Sequence, residues 1–85
     1  MRHARSAALD ELDPLLAQLR ALPELTERSR GVFYRRGAAF LHFHEDPAGH
    51  HADARLRGDE FERFRVQTGA EQRALLARVR ESLAR

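Results

Sequence analysis

The sequence predicts an α+β fold of the order α-β-β-β-β-α, in which a four-stranded antiparallel meander carries an N-terminal and a C-terminal helix on one face. Three observations favour this fold class. Apolar residues recur at helical spacing near both ends of the chain, they alternate with polar residues in its middle, and turn-forming residues divide that middle into short segments. We expect the 85 residues to form one domain, residues 1–85, with residues 1–5 disordered.

The N-terminal helix is predicted from leucines that recur three and four residues apart between Ser6 and Leu22. Pro14 interrupts this stretch. Because proline suits the first turn of a helix and Asp13 is a good N-cap residue, we expect the main helix to begin there. The residues before Asp13 would form a separate turn or a kinked extension, and Pro23 would end the helix.

Four strands are expected between Gly31 and Val66, where side chains alternate with a period of two residues. Three turn signals separate them, namely Arg36-Gly37, Asp46–Gly49 and Gly58-Asp59. Because each turn fixes the pairing of its two flanking strands, the cross-strand partners follow. The first and last turns predict these pairs: Val32 with Leu41, Phe33 with Phe40, Tyr34 with Ala39, Leu56 with Phe61, Arg57 with Glu60, and Arg55 with Glu62.

The middle hairpin allows two registers. A four-residue loop would place His44 opposite His51 and His42 opposite Asp53, whereas a three-residue loop with a bulge would place His42 opposite Ala54. The hydrophobic pattern favours the first register, since it collects the apolar residues on one face. That face carries Val32, Tyr34, Ala39, Leu41, Phe43, Ala52, Ala54, Leu56 and Phe61. The opposite face carries Phe33, Phe40, His42, His44, His51, Asp53, Arg55 and Phe64.

The C-terminal helix is predicted to begin after Thr68. The segment from Thr68 to Glu71 matches a capping box, in which the threonine hydroxyl accepts a hydrogen bond from the backbone N–H of the glutamate. In return, the Glu71 carboxylate accepts a hydrogen bond from the backbone N–H of Thr68. Apolar residues follow at helical spacing, so we expect one side of this helix to pack on the sheet. They are Leu75, Leu76, Val79 and Leu83.

The histidines suggest a metal site. In the favoured register His42, His44, His51 and Asp53 form a compact group on the face away from the helices. Two imidazoles and a carboxylate form a ligand set that suits Zn, Fe(II), Ni or Cu, so the candidate cofactor is a divalent metal such as Zn. An open coordination position would allow a small metal-dependent hydrolase. The same residues could instead transfer protons without an ion.

The sequence assigns no catalytic residue. It contains no cysteine, and the serines lie far from the histidines in the predicted sheet, so covalent catalysis has no evident nucleophile. We therefore expect a binding protein rather than an enzyme.

Three phenylalanines predict a binding surface on the same face as the histidines. Phe33, Phe40 and Phe64 would be exposed there, which a soluble monomer usually avoids. Arg55 would lie opposite Phe40 and could stack on its ring. We therefore expect an interaction domain that uses the non-helical face of the sheet for homodimerisation or for binding a protein partner.

The charge balance does not favour nucleic-acid binding. All fifteen basic residues are arginine, and thirteen acidic residues leave a formal net charge of only +2. If the chain did bind nucleic acid, Arg35 and Arg36 at a hairpin tip would be the expected contacts. No apolar run is long enough for a secretory signal or a membrane span, so we expect a cytoplasmic protein with no membrane partner.

Overall fold

The computed structural model describes residues 2–85. Its elements, in chain order, are β1 (Arg2–His3), α1 (Ser6–Glu11), α2 (Asp13–Arg20), β2 (Thr26–Ser29), β3 (Val32–Arg35), β4 (Ala38–Asp46), β5 (Gly49–Ala54), β6 (Glu62–Arg65) and α3 (Gly69–Leu83). The strands form one antiparallel sheet in the order β2-β3-β4-β5-β6. Strand β1 is not part of this linear order and pairs with β4. The α+β class is confirmed, whereas the predicted strand count of four is too low.

Strands β1 and β2 were not anticipated because they lack the apolar alternation of a half-buried strand. In β2 three of the four residues are exposed, as befits a short polar strand at the edge of the sheet. Residues 1–5 were expected to be disordered; in this structure Arg2–His3 pairs with β4 and Ala4 is buried. The backbone N–H of Ala4 donates to the carbonyl of Phe43 at 3.0 Å. Met1 lies outside the described residues.

The N-terminal helical region is divided at the predicted place. Helix α1 ends at Glu11 and α2 begins at Asp13, with Pro14 in its first turn, where the missing N–H costs no helical hydrogen bond. Leu12 is the N-cap residue, so Asp13 lies one position inside the helix instead of capping it. Both helices bury their leucines against the sheet.

A bulge in β4 changes the first hairpin. Its turn has positive φ at Arg36 (52°) and Gly37 (81°), as a tight hairpin turn requires, and Tyr34 pairs with Ala39 as predicted. Beyond that pair the register shifts. Phe33 pairs with Leu41 instead of Phe40, and Val32 pairs with His42 instead of Leu41, because β4 contains one extra residue at Phe40.

The last hairpin also differs from the prediction. Strands β5 and β6 are joined by a seven-residue segment, residues 55–61, instead of a two-residue turn. The observed register pairs Ala54 with Glu62 and Ala52 with Phe64, one residue away from the predicted alignment. Leu56 explains the difference, because it leaves the strand and is buried in the core. The hydroxyl of Ser82 on α3 donates to the Leu56 carbonyl at 2.7 Å and holds this segment in place.

The hydrophobic core lies between the helices and one face of the sheet, which we call the inner face. Its fully buried residues come from the helices and from the strands that they cover. The capping box of α3 is confirmed, since Thr68 and Glu71 exchange both of its hydrogen bonds. Among residues 2–85, no helix is both long and apolar enough to cross a membrane. The opposite face of the sheet, which we call the outer face, is not covered by the helices.

Candidate functional site

The middle hairpin places the histidines on the outer face as the favoured register predicts. His42 pairs with Asp53 and His44 pairs with His51, which confirms that register. Strand β1 adds His3 directly across from His44 on the other side of β4. Because directly opposed residues of antiparallel strands share a face, four of the five histidines lie together. The contribution of His3 could not be anticipated while residues 1–5 were expected to be disordered.

The structure brings three of the four predicted ligands together. His42, His44 and Asp53 can each direct one ligand atom into a group whose members all lie within 4.8 Å of one another. The Nε2 atoms of His42 and His44 are 3.7 Å and 3.2 Å from Oδ2 of Asp53. The two imidazole rings meet edge to face, with their centroids 4.7 Å apart. The register of β4 and β5 therefore positions this group, which we call the His/Asp cluster.

His51 does not complete this cluster. It is paired with His44 on one side and with Arg65 on the other, and it is not part of the group that lies within 4.8 Å. The fifth histidine, His50, belongs to the other side of the sheet, where its Nε2 atom lies 3.0 Å from Oε1 of Glu11. The predicted four-residue site is thus reduced to three residues.

Arg63 is the residue of this site that the sequence did not reveal. It lies opposite Asp53 across β5 and β6, and its Nε and Nη2 atoms donate to the two carboxylate oxygens at 2.9 Å and 3.0 Å. The predicted register placed Phe64 at this position. The hydrogen bonds from Arg63 lower the pKa of Asp53, and the Asp53 carboxylate raises the pKa of Arg63.

The environment of His42 favours its neutral form. Burial lowers the pKa of His42, and the nearby His44 lowers it further, while Asp53 acts in the opposite direction. The ring of Phe61 packs edge to face against the His42 ring with a centroid separation of 5.0 Å. A neutral imidazole keeps a lone pair for an ion or a hydrogen bond. His42, His44 and Asp53 could therefore hold a divalent cation, although Arg63 already binds both Asp53 oxygens.

The predicted exposure of three phenylalanines is wrong. Phe33 and Phe40 are 0 % and 3 % exposed and belong to the core, and Phe64 packs against the core from the inner face. The bulge and the shifted β5–β6 register explain these positions, since each moves a ring away from the outer face. The exposed aromatic residue is Phe61, at 36 %. Arg55 stacks on Phe61 at 4.4 Å from the ring centroid, instead of on Phe40.

Acidification is expected to destabilise the fold through this cluster. Because the folded pKa of Asp53 is lowered, its contribution is complete above its unfolded pKa of about 3.9 and is lost as the pH falls through the folded value. The lowered pKa of His42 acts in the same direction, since below about pH 6.5 the unfolded chain binds a proton that the folded chain does not.

Melting temperatures at about pH 7.5 and about pH 5.5 test this expectation. The melting temperature should be lower at the more acidic pH, and the difference should shrink in the His42→Gln variant. His50→Gln, on the other side of the sheet, provides the control. If the difference in melting temperature between the two pH values were the same in His42→Gln as in the unmodified protein, the role assigned to His42 would be contradicted.

Comparisons of the chain with protein-family models, with curated proteins and with solved structures found no match, which leaves the geometry of the outer face as the basis for a functional proposal.

Proposed function

We propose that this chain is a binding module that docks an acidic protein partner on its outer face. The observation that carries the proposal is that the two faces of the sheet carry different side chains. The helices pack on the inner face, and the outer face presents arginine and histidine side chains at positions fixed by strand pairing. Strand pairing places Arg63 and Arg65 there; Arg63 is paired with Asp53, and Arg65 lies 3.4 Å from Glu71 of α3. Arg55 stacks on Phe61, and its Nε atom has no hydrogen-bond partner within residues 2–85, which supports an acidic partner.

Phe61 provides an apolar anchor for such a partner. It is the exposed large hydrophobic residue among residues 2–85, and it lies between His42 and the guanidinium of Arg55. An aromatic ring bordered by arginine is typical of the energetic centre of a protein interface.

The same charges favour a foreign partner over a second copy of the chain. A two-fold dimer through the outer face would bring two arginine-rich surfaces together, which is unfavourable. Homodimerisation, expected from the sequence, is therefore an alternative outcome that sedimentation at increasing concentration would reveal. A cytoplasmic location stays part of this proposal.

A polyglutamate peptide tests the charge requirement. Titration followed by backbone amide chemical shifts should perturb residues of β5 and β6 on the outer face, and binding should weaken as salt is added. Replacing Arg55 and Arg63 by glutamine should weaken binding at least about tenfold, because two of the three outer-face arginines are removed. A single Arg55→Gln variant, which leaves the Arg63–Asp53 pair intact, should show a smaller loss in the same direction.

The matched control replaces Arg73 and Arg80, two exposed arginines of α3, by glutamine. This change removes the same charge from the helical side and should leave binding unchanged. Equal loss in both double variants would mean that the peptide responds only to net charge, and the proposal would fail. Concentration-dependent dimerisation that Arg55→Gln strengthens would instead assign the outer face to a second copy.

Metal binding is a second candidate, favoured by the convergence of His42, His44 and Asp53 within 4.8 Å. Two imidazoles and one carboxylate are a ligand set for zinc and related ions. Arg63 competes with an ion for Asp53, because it donates to both carboxylate oxygens. Removal of this arginine should therefore strengthen metal binding instead of weakening it.

Calorimetric titration of metal-free protein with Zn²⁺ tests this candidate. We expect one ion per chain, at least about a tenfold loss of affinity in His44→Ala, and a gain in Arg63→Gln. His50→Ala is the control, since His50 contacts Glu11 away from the cluster. If His50→Ala and His44→Ala lose equal affinity, or if no heat is detected, the His/Asp cluster is not a zinc site.

A further inference from the structure

Strand β6 forms one edge of the sheet, and a groove of about 460 Å³ lies beside it under α3. The apolar part of this groove is lined by Phe64 from the strand and by Ala74, Leu75 and Ala77 from the helix, and its border carries two charges of each sign, on Arg65, Arg78, Glu71 and Glu81. Arg78 lies over the Phe64 ring, 5.3 Å from its centroid, at the border of the groove. An apolar groove next to a strand edge is a geometry that suits an extended peptide.

The backbone of β6 offers hydrogen-bonding groups along this edge. Val66 donates its N–H to the carbonyl of His50 at 3.0 Å, and Phe64 pairs with Ala52. Because hydrogen bonding alternates along an antiparallel strand, the N–H and C=O groups of Arg63 and Arg65 point away from β5. Within residues 2–85, no strand pairs with this side of β6.

The side chains of β6 alternate in a way that defines what could pair with it. Phe64 faces the groove on the inner face, whereas strand pairing puts Arg63 and Arg65 on the outer face, from which the Arg65 side chain reaches Glu71 of α3 at 3.4 Å and borders the groove. A strand added to this edge would place every second side chain over the groove and the others beside the two arginines. Arg63 uses Nε and Nη2 to bind Asp53, and its side chain is 52 % exposed, so its Nη1 can bind a further carboxylate.

We propose that an extended segment of a partner protein, with alternating apolar and acidic residues, adds to the free edge of β6 as an additional strand. Its apolar side chains occupy the groove under α3, and its acidic side chains meet Arg63 and Arg65. This inference rests on the proposed function for its acidic partner, and it adds the conformation of that partner and the edge at which it binds.

The arginines of β6 also disfavour a second copy of the chain at this edge. In a continuous two-fold sheet, β6 would pair antiparallel with itself, and residues that share a face would lie opposite each other. Arg63 would then face either Arg63 or Arg65 of the other copy. Like charges directly opposite each other destabilise a strand pair. Pairing of β6 with β6 of a second copy is therefore unfavourable, whereas pairing with an acidic strand is favourable.

A synthetic peptide of alternating valine and glutamate tests the inference. A peptide of about six residues with blocked ends spans roughly 20 Å when extended, which covers β6 and its flanks. We expect it to slow hydrogen exchange at the amides of Arg63 and Arg65 at least about tenfold. A peptide of the same composition, with the valines and glutamates in two blocks, should not protect these amides, because it cannot place alternate side chains correctly.

Two variants locate the binding site. Ala77→Glu fills the groove with a charged side chain and should weaken binding at least about tenfold. Ala17→Glu, the same change at an exposed alanine of α2, should have no effect. Both alanines are exposed, so both variants should fold, and equal melting temperatures would verify this.

The outcomes separate this inference from the proposed function. If Phe61→Ala weakens binding of the alternating peptide and Ala77→Glu does not, the inference is overturned and the outer-face proposal stands. Equal binding of an alternating valine–lysine peptide would overturn the acidic requirement. If no β6 amide shifts at peptide concentrations up to about 1 mM, strand addition is overturned, and the polyglutamate titration decides the proposed function independently.

Discussion

Truncation of Phe43 to alanine is expected to lower the free energy of unfolding by about 3–5 kcal/mol. Phe43 is 0 % exposed, lies on the inner face opposite Ala52, and is among the largest fully buried side chains. Its removal would leave a cavity that neighbouring small residues cannot fill. Because small domains have total stabilities near the lower end of about 5–15 kcal/mol, the variant should be substantially unfolded at physiological temperature.

Urea unfolding followed by circular dichroism measures this loss. Phe61→Ala removes the same ring from a position that is 36 % exposed, so it should cost less than about 1 kcal/mol. The two variants together compare an inner-face ring with an outer-face ring of identical chemistry. If both lost similar stability, the assignment of the two faces would be wrong.

Replacement of Gly31 by alanine is expected to cost roughly 2–4 kcal/mol, the second largest effect. Gly31 has φ of +79°, a conformation that L-residues avoid. In addition, a Cβ atom at this position would lie 2.7 Å from Cδ2 of Leu9, which is buried in the core. Backbone strain and a steric clash therefore act together.

Gly37→Ala separates these two contributions. Gly37 has a similar φ of +81°, but a Cβ atom there would have no heavy atom within 4 Å. Its substitution should cost only the backbone strain, about 1–2 kcal/mol. The difference between the two variants in urea unfolding gives the cost of the clash, and Leu9→Ala combined with Gly31→Ala should show less than additive loss. Strict additivity would contradict the contact with Leu9.

The sequence predicted the centre of the sheet well because local and global constraints agree there. A turn after Asp46 and the alternation of Leu41, Phe43, Ala52 and Ala54 both require the same register, and this register places His42 beside Asp53. The start of α3 was also predictable, since a capping box depends only on residues close in sequence.

The remaining features depend on contacts between distant residues. The bulge at Phe40 and the position of Leu56, whose carbonyl accepts a hydrogen bond from Ser82 on α3, bury both side chains in the core, and neither has a local signal. Both change which side chains reach the outer face. For this reason the prediction from the sequence placed the wrong aromatic rings on the outer face and did not identify Phe61 as exposed. It also put Phe64 opposite Asp53, where the structure has Arg63.

The pairing of β1 with β4 has a practical consequence for preparing the protein. Residues joined ahead of Arg2 would leave the sheet next to His3 and His44. A polyhistidine purification tag at that end would bring competing imidazoles to the cluster and confuse any zinc titration. A tag fused after Arg85, which follows α3, would emerge from the helical end instead.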